Sequence, residues 1–152
     1  MADPIISAQV ITGDIQTRLQ DLEKVLADLT PLYKEIGEVL LLQTDERFRR
    51  EVDPSGIPWK PNTAYTLRLK KQQRRIMRIL QSTGRMRASV SYQASREGVV
   101  AGTNVQYARL HQLGGRSGKF QIPIRRFLGV GPKDQDEILA LVEEYFKRYT
   151  QG

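Results

Sequence analysis

A chain of 152 residues with 39% hydrophobic content and no internal break in composition can bury one core, so a single domain over residues 1–152 is expected. It has no cysteine and one histidine, which excludes disulfides, thiol catalysis and cysteine-ligated metals, and no run approaches the roughly eighteen apolar residues of a membrane span. The net charge of +7 is unevenly spread: residues 1–53 carry 6 basic and 11 acidic side chains, residues 60–96 carry 10 basic and none acidic, and residues 97–152 carry 8 and 6.

The first residues, MADPIISAQV, lack the basic start and apolar centre of a secretory signal, so a cytosolic protein is expected, with residues 1–12 flexible. Ile15, Leu19, Leu22, Leu26 and Leu29 then recur at alternating four and three, the stripe of a helix of about four turns with Asp14 at its N-cap. The stripe is too short for a zipper and reads as core. Thr30-Pro31 gives a cap and a first-turn proline, opening a second helix to about Glu51. Leu32, Ile36, Val39 and Leu40 are expected to pack it antiparallel on the first.

Asp53-Pro54-Ser55-Gly56 ends that helix in a turn. Trp59, the single tryptophan, stands between Pro58 and Pro61 and reads as an anchor for this segment in preference to a partner contact. Thr63–Leu80 is predicted as a basic helix in which Arg68, Lys71, Arg75 and Arg78 form a cationic line, widened by Lys70 and Arg74. With no carboxylate inside the segment, the line suits an acidic protein surface or nucleic acid as well as plain solvation.

Ser82-Thr83-Gly84 breaks the helix, after which Val90, Tyr92 and Ala94 alternate with polar residues in a half-buried strand. Ser95–Gly98 turns the chain into a second strand, Val99–Gly102, and such a hairpin needs further cover. Gly102-Thr103-Asn104 then caps a short helix over about Val105–Leu113, closed by Gly114-Gly115. Beyond the flexible polar loop Arg116–Lys119 comes an apolar arm, Phe120–Gly129, in which Pro123 disfavours a central strand. Phe120, Ile122, Ile124, Phe127 and Leu128 are too apolar for water, so the arm is expected to be mobile in a free protomer and to order in a neighbouring subunit's groove, with Arg125 pairing a carboxylate there. Asp134-x-x-Glu137 reads as a capping box opening a last helix, whose Ile138, Leu141, Val142, Tyr145, Phe146 and Tyr149 make one apolar face for the core or a subunit interface.

No nucleophile with a base, paired-carboxylate or phosphate-cradling motif occurs. His111, one turn after Tyr107 with no other ligand-type residue at helical spacing, reads as structural, and Tyr107 with it as an anchor. No enzyme activity, cofactor or metal is expected. The fold class is α+β, with helices packed on a small antiparallel sheet beside the extended Pro-containing arm. Physical reading alone stops at a basic assembly or binding protein.

The order Gly102-Thr103, Tyr107-Ala108, His111-Gln112, Gly114, Ile122-Pro123, Arg125 and Phe127-Leu128-Gly129 resembles the phage virion morphogenesis (tail-completion) family of contractile-tailed phages of the Mu and P2 type. Asp53-Pro54-x-Gly56-x-Pro58-Trp59 and Thr83-Gly84-x-Met86-x-x-Ser89-Val90 are similar to its other blocks, so the resemblance runs from about Phe48 to Tyr149. Arg126, where the family often has proline, and Gly131-Pro132, where a capping serine is expected, depart from the pattern. The resemblance implies a virion protein of the neck or head-proximal tail end, assembled in the host cytoplasm. It implies a homo-oligomeric ring, by expectation a hexamer, that completes the tail and supports head-tail joining. Neighbouring neck, connector or tail-tube proteins are the implied partners, with DNA in the channel a further contact. Two other readings remain open: nucleic-acid binding through residues 63–80, and a transient assembly factor absent from the particle.

Overall fold

The computed structural model describes residues 6–8 and 13–150. Its elements in chain order are β1 (Ile6–Ala8), α1 (Gly13–Val25), α2 (Thr30–Arg50), α3 (Ala64–Gln72), α4 (Arg85–Ser89), β2 (Ser91–Ala94), β3 (Val99–Thr103), α5 (Ala108–Leu113), β4 (Gly115–Ser117), β5 (Phe120–Ile122) and α6 (Pro132–Thr150). The class is α+β, as the sequence predicts. A three-stranded antiparallel sheet in the order β1-β3-β2 lies beside a separate two-stranded ribbon, β4-β5. β2 and β3 are the predicted hairpin, in register Ser91 with Gly102 through Ala94 with Val99. The third strand comes from the start of the chain, Ile6 opposite Thr103 and Ala8 opposite Ala101. The described part of the expected flexible start is therefore sheet, and the rest of residues 1–12 lies outside the described residues.

Two apolar clusters organise the chain, and α2 runs through both. The first joins Ile15, Leu19 and Leu22 of α1, Leu32, Tyr33 and Ile36 of α2, and Ile138, Val142 and Tyr145 of α6. The leucine stripe is core, although α1 has α6 as its main neighbour rather than forming a hairpin on α2 alone. The amphipathic face of α6 explains this, because it offers apolar residues to both helices at once. Sheet and α2 meet where the Tyr92 ring lies on Gly37, whose missing side chain makes room for it.

The second cluster gathers Phe48 at the end of α2 with Trp59, Met86, Val105, Ala108, Phe127 and Leu128. Phe48, fully buried, has its ring centroid 5.4 Å from those of both Trp59 and Phe127. The Trp59 indole N–H donates to the Arg126 carbonyl at 2.7 Å, so Arg126 contributes its backbone to the packing. After α2 stops at a left-handed Glu51, the Asp53 carboxylate accepts from the Ser55 and Ile57 amides, closing the predicted turn.

Four expectations need correction. The basic helix ends at Gln72, not Leu80: Arg74 takes φ 55° and Leu80 φ 62°, and the chain doubles back. Long-range anchors hold it there, with the Ile79 amide donating to Glu51 at 2.8 Å and the Gln81 amide nitrogen to the Phe48 carbonyl at 2.9 Å. The helix expected from Val105 starts at Ala108, because the Thr103 hydroxyl accepts the Val105 amide at 3.1 Å and holds residues 104–107 in a turn. Of the expected polar loop Arg116–Lys119, Arg116 and Ser117 belong to β4 and pair with Gln121 and Phe120, only Gly118 and Lys119 make the turn of the ribbon, and Pro123 stands just past its end. The capping box at Asp134 does not form. Asp134 lies inside α6, accepts from the Gly131 amide at 2.8 Å and meets the buried Arg47 guanidinium, while Glu137 accepts from Gln43. Arg47 also donates to the Phe127 carbonyl at 2.9 Å, tying α2, α6 and the arm together. A β-carbon at Gly131 would overlap the Pro54 carbonyl, which explains glycine where a serine was expected.

Candidate partner-binding groove

The apolar arm splits in two. Its tip, on the ribbon, is in solvent: Phe120 is 50% exposed and Ile124 53%. Its root is core, with Phe127 and Leu128 buried and Arg125 only 9% exposed. Arg125, Phe127 and Leu128 therefore do not belong to a detached interface arm. The reason is that Gln112 satisfies the root's backbone: its carboxamide accepts the Phe127 and Leu128 amides at 3.0 and 3.1 Å and donates to the Leu128 carbonyl at 2.8 Å. Arg125 finds carbonyls instead of the expected carboxylate, donating to Lys60 at 2.8 Å and Pro61 at 3.0 Å.

Between this root, the segment Lys60–Thr63, α3, the loop after it, and the Tyr107–His111 turn lies a groove of about 870 Å³. Thr63 starts α3 by accepting the Thr66 amide at 3.2 Å. The helix then aims Lys70 inward, 6% exposed, its ammonium donating to the Arg78 carbonyl at 2.8 Å. Burial, followed by repulsion from Arg125, depresses the basicity of Lys70, and Glu51 partly offsets this. Burial likewise lowers the pKa of Arg125. On the rim Tyr65 and Phe120 stack with centroids 6.1 Å apart and planes 18° from parallel, and the Lys119 ammonium lies 5.7 Å from the Phe120 centroid.

His111 closes the floor. Its Nδ1 is shielded and has no hydrogen-bond partner, and its carbonyl accepts the Arg125 amide at 2.7 Å. Burial, with Arg125 and Lys70 nearby, pushes its pKa down to about 4, so it is neutral near pH 7. Tyr107 presents its ring edge to His111 at 6.3 Å and is 41% exposed, so it forms part of the groove wall and is not a buried anchor. Trp59 is 4% exposed in the second cluster, outside the groove lining.

The predicted cationic line is dispersed. Arg68 and Lys71 are exposed on α3, Arg75 lines the groove beyond the helix end, and Arg78 turns back to donate to the Arg49 carbonyl. What gathers instead is a set of groove cations, Lys60, Lys70, Arg75, Arg85 and Arg125, with no carboxylate in the lining. Sequence spacing could not join Arg75 to Arg125, since the fold brings them to one groove from fifty positions apart. The absence of acidic residues over 60–96 was the available signal. Among the described residues no group of three or more His, Cys, Asp or Glu side chains is placed to hold a metal, and no helix is long and apolar enough to cross a membrane.

Fold and groove together make a small α+β protein with a cationic, partly apolar recess. The chain belongs to the phage virion morphogenesis family, whose sequence model matches residues 10–147. The match reaches through α1 and α2, well upstream of the Phe48 start expected from the motifs. Among curated proteins it is similar to the "Mu-like prophage FluMu G protein 2" of Haemophilus influenzae, 37% identical over 71 residues. Those residues are 45% of this chain and 51% of the relative, so the chain spans about half the length of the curated relative it matches. No solved structure matches.

Proposed function

We propose that this phage virion morphogenesis protein is a structural part of the particle at the neck or head-proximal tail end, where a ring of copies completes the tail and supports head-tail joining. The observation that carries this reading is the face around the groove. Tyr65, Tyr107 and Phe120, which line it, are each at least 41% exposed, alongside cations without carboxylates. Apolar side chains gathered around a charged recess mark a protein contact. Among the described residues none forms an activated nucleophile and neutral His111 has no acidic partner, so the work proposed is assembly and not catalysis. Mass spectrometry and imaging of purified virions test the reading. The protein should be recovered in multiple copies at the junction of head and tail, and its absence from particles would leave a transient assembly factor in its place.

The stacked Tyr65–Phe120 pair beside Lys119 supports a second reading, contact with DNA in the channel. Binding of the purified protein to single- and double-stranded oligonucleotides, weakening steeply with salt, is the outcome that would favour it.

A further inference from the structure

We infer that the cationic groove receives the outer face of α2 from a second copy of this chain; the inference rests on the ring reading above and assigns its contact surfaces. Lys70 and Arg125 are 6% and 9% exposed, and neither lies within ion-pair distance of a carboxylate among the described residues. Carbonyls satisfy their donors, and with Glu51 offsetting Lys70 only in part and no carboxylate in the lining, the recess keeps an excess of buried positive charge, to which Arg75 and Arg85 add at its rim. An incoming carboxylate is stabilised there because the desolvation of the cations has already been met by folding.

The same chain carries the complement. Glu35, Glu38, Leu42, Asp45 and Glu46 stand at i, i+3, i+7, i+10 and i+11 of α2, one face of the helix. Leu42 at its centre is 71% exposed, more than any other large apolar side chain described. Asp45 and Glu46 are paired with Arg87 and Arg49, whereas Glu35 and Glu38 have no ion-pair partner among the described residues. Tyr92 donates to Glu38 and leaves its charge in place. An apolar side chain ringed by carboxylates matches a groove with Phe120 and Ile122 among its cations, and a phosphate backbone offers nothing equivalent to Leu42. Groove and face share no residue, so the contact is head-to-tail, the type that closes into a ring.

Charge exchange between two variants tests the contact. Arg75→Glu with Arg85→Glu makes the rim acidic, and Glu35→Lys with Glu38→Lys makes the face basic. All four positions line the surface or the groove rim, so each variant should keep the wild-type circular dichroism spectrum. Each alone should lose the oligomer that wild type shows in light scattering, and an equimolar mixture should regain it, because every groove then has an oppositely charged face available. As the chain has no cysteine, Leu42→Cys and Phe120→Cys copies should cross-link when mixed and not separately. A wild-type ring with folded variants that are not rescued by mixing overturns the contact while the ring stands. Wild type that is monomeric in solution and in particles removes the ring reading and this inference together. A rim variant that keeps its ring and loses only single-stranded oligonucleotide binding reassigns the groove to nucleic acid and overturns the proposal.

Discussion

At the scale of single residues, buried polar groups set what this protein can tolerate. Asp134 compensates Arg47 and caps the Gly131 amide, so Asp134→Ala leaves a buried guanidinium without its ion-pair partner and with Asp53 as the remaining carboxylate acting on it. A loss of about 3–5 kcal/mol is expected, read as a lower urea midpoint at unchanged slope. His111 gives a different signature, since its folded pKa of about 4 lies below its ordinary value near 6.5. The folded state therefore favours the neutral ring. Stability is complete above about pH 6.5, and as pH falls toward 4 the unfolded chain takes up the proton first, removing up to about 3 kcal/mol. His111→Asn should flatten stability against pH in that window, leaving the losses below it that come from carboxylates such as Asp45 and Glu46, whose arginine partners hold them below their ordinary range. Equal pH curves for the two proteins would show that the imidazole is not kept neutral by the fold.

At the scale of elements, those encoded by local periodicity were legible and those held by distant contacts were not. The leucine stripe, the place where α2 starts, the β2-β3 hairpin and the apolar face of α6 follow from spacing and turn chemistry within a few residues, although Thr30 is the first residue of α2 and not its cap, its amide donating to Asp28. β1 is three residues long and exists through its pairing with β3 nearly a hundred positions on, so no local signal announces it. α3 stops short because Glu51 and Phe48 capture Ile79 and Gln81, a tertiary override of a segment rich in helix formers. The arm's hydrophobicity is shared between two destinations, which only residues distant in sequence, Gln112, Arg47 and Trp59, distinguish. Hydrogen exchange on the free protein should accordingly split it, with the Phe127 and Leu128 amides protected near the global limit and Lys119–Gln121 exchanging fast. Uniformly fast exchange over 120–128 would restore a mobile arm. Gly37→Ala tests the junction of helix and sheet: a β-carbon there overlaps the Tyr92 ring, so a loss of about 1–3 kcal/mol is expected, and an unchanged melting temperature would mean that Tyr92 yields without cost.

At the scale of the molecule, the charge asymmetry along the chain becomes an asymmetry between surfaces. Glu35 and Glu38, part of the acidic surplus of residues 1–53, stand exposed on α2 without an ion-pair partner among the described residues, and cations of the basic run 60–96, joined by Arg125, line the groove. The sequence showed that opposite charges were segregated, but not that two of the cations, Lys70 and Arg125, would be buried in one recess, since that depends on the Arg78, Lys60 and Pro61 carbonyls that take their donors. For the proposed assembly, a groove lined by cations makes association depend on salt, whereas a purely apolar seam would strengthen or hold as salt rises. We expect the wild-type oligomer to weaken when sodium chloride is raised from about 0.05 M to about 0.5 M, over which the screening length falls from roughly 14 Å to roughly 4 Å. The apolar share of the contact, carried by Leu42 against Phe120 and Ile122, should leave a residual association at the higher salt. Leu42→Asp should remove that residue of binding, because an added carboxylate is screened there and no longer contributes apolar area. Sedimentation velocity at the two salt concentrations measures both effects, and an oligomer indifferent to salt would mean that protomers are joined through another face, leaving the groove open to a neighbouring virion protein.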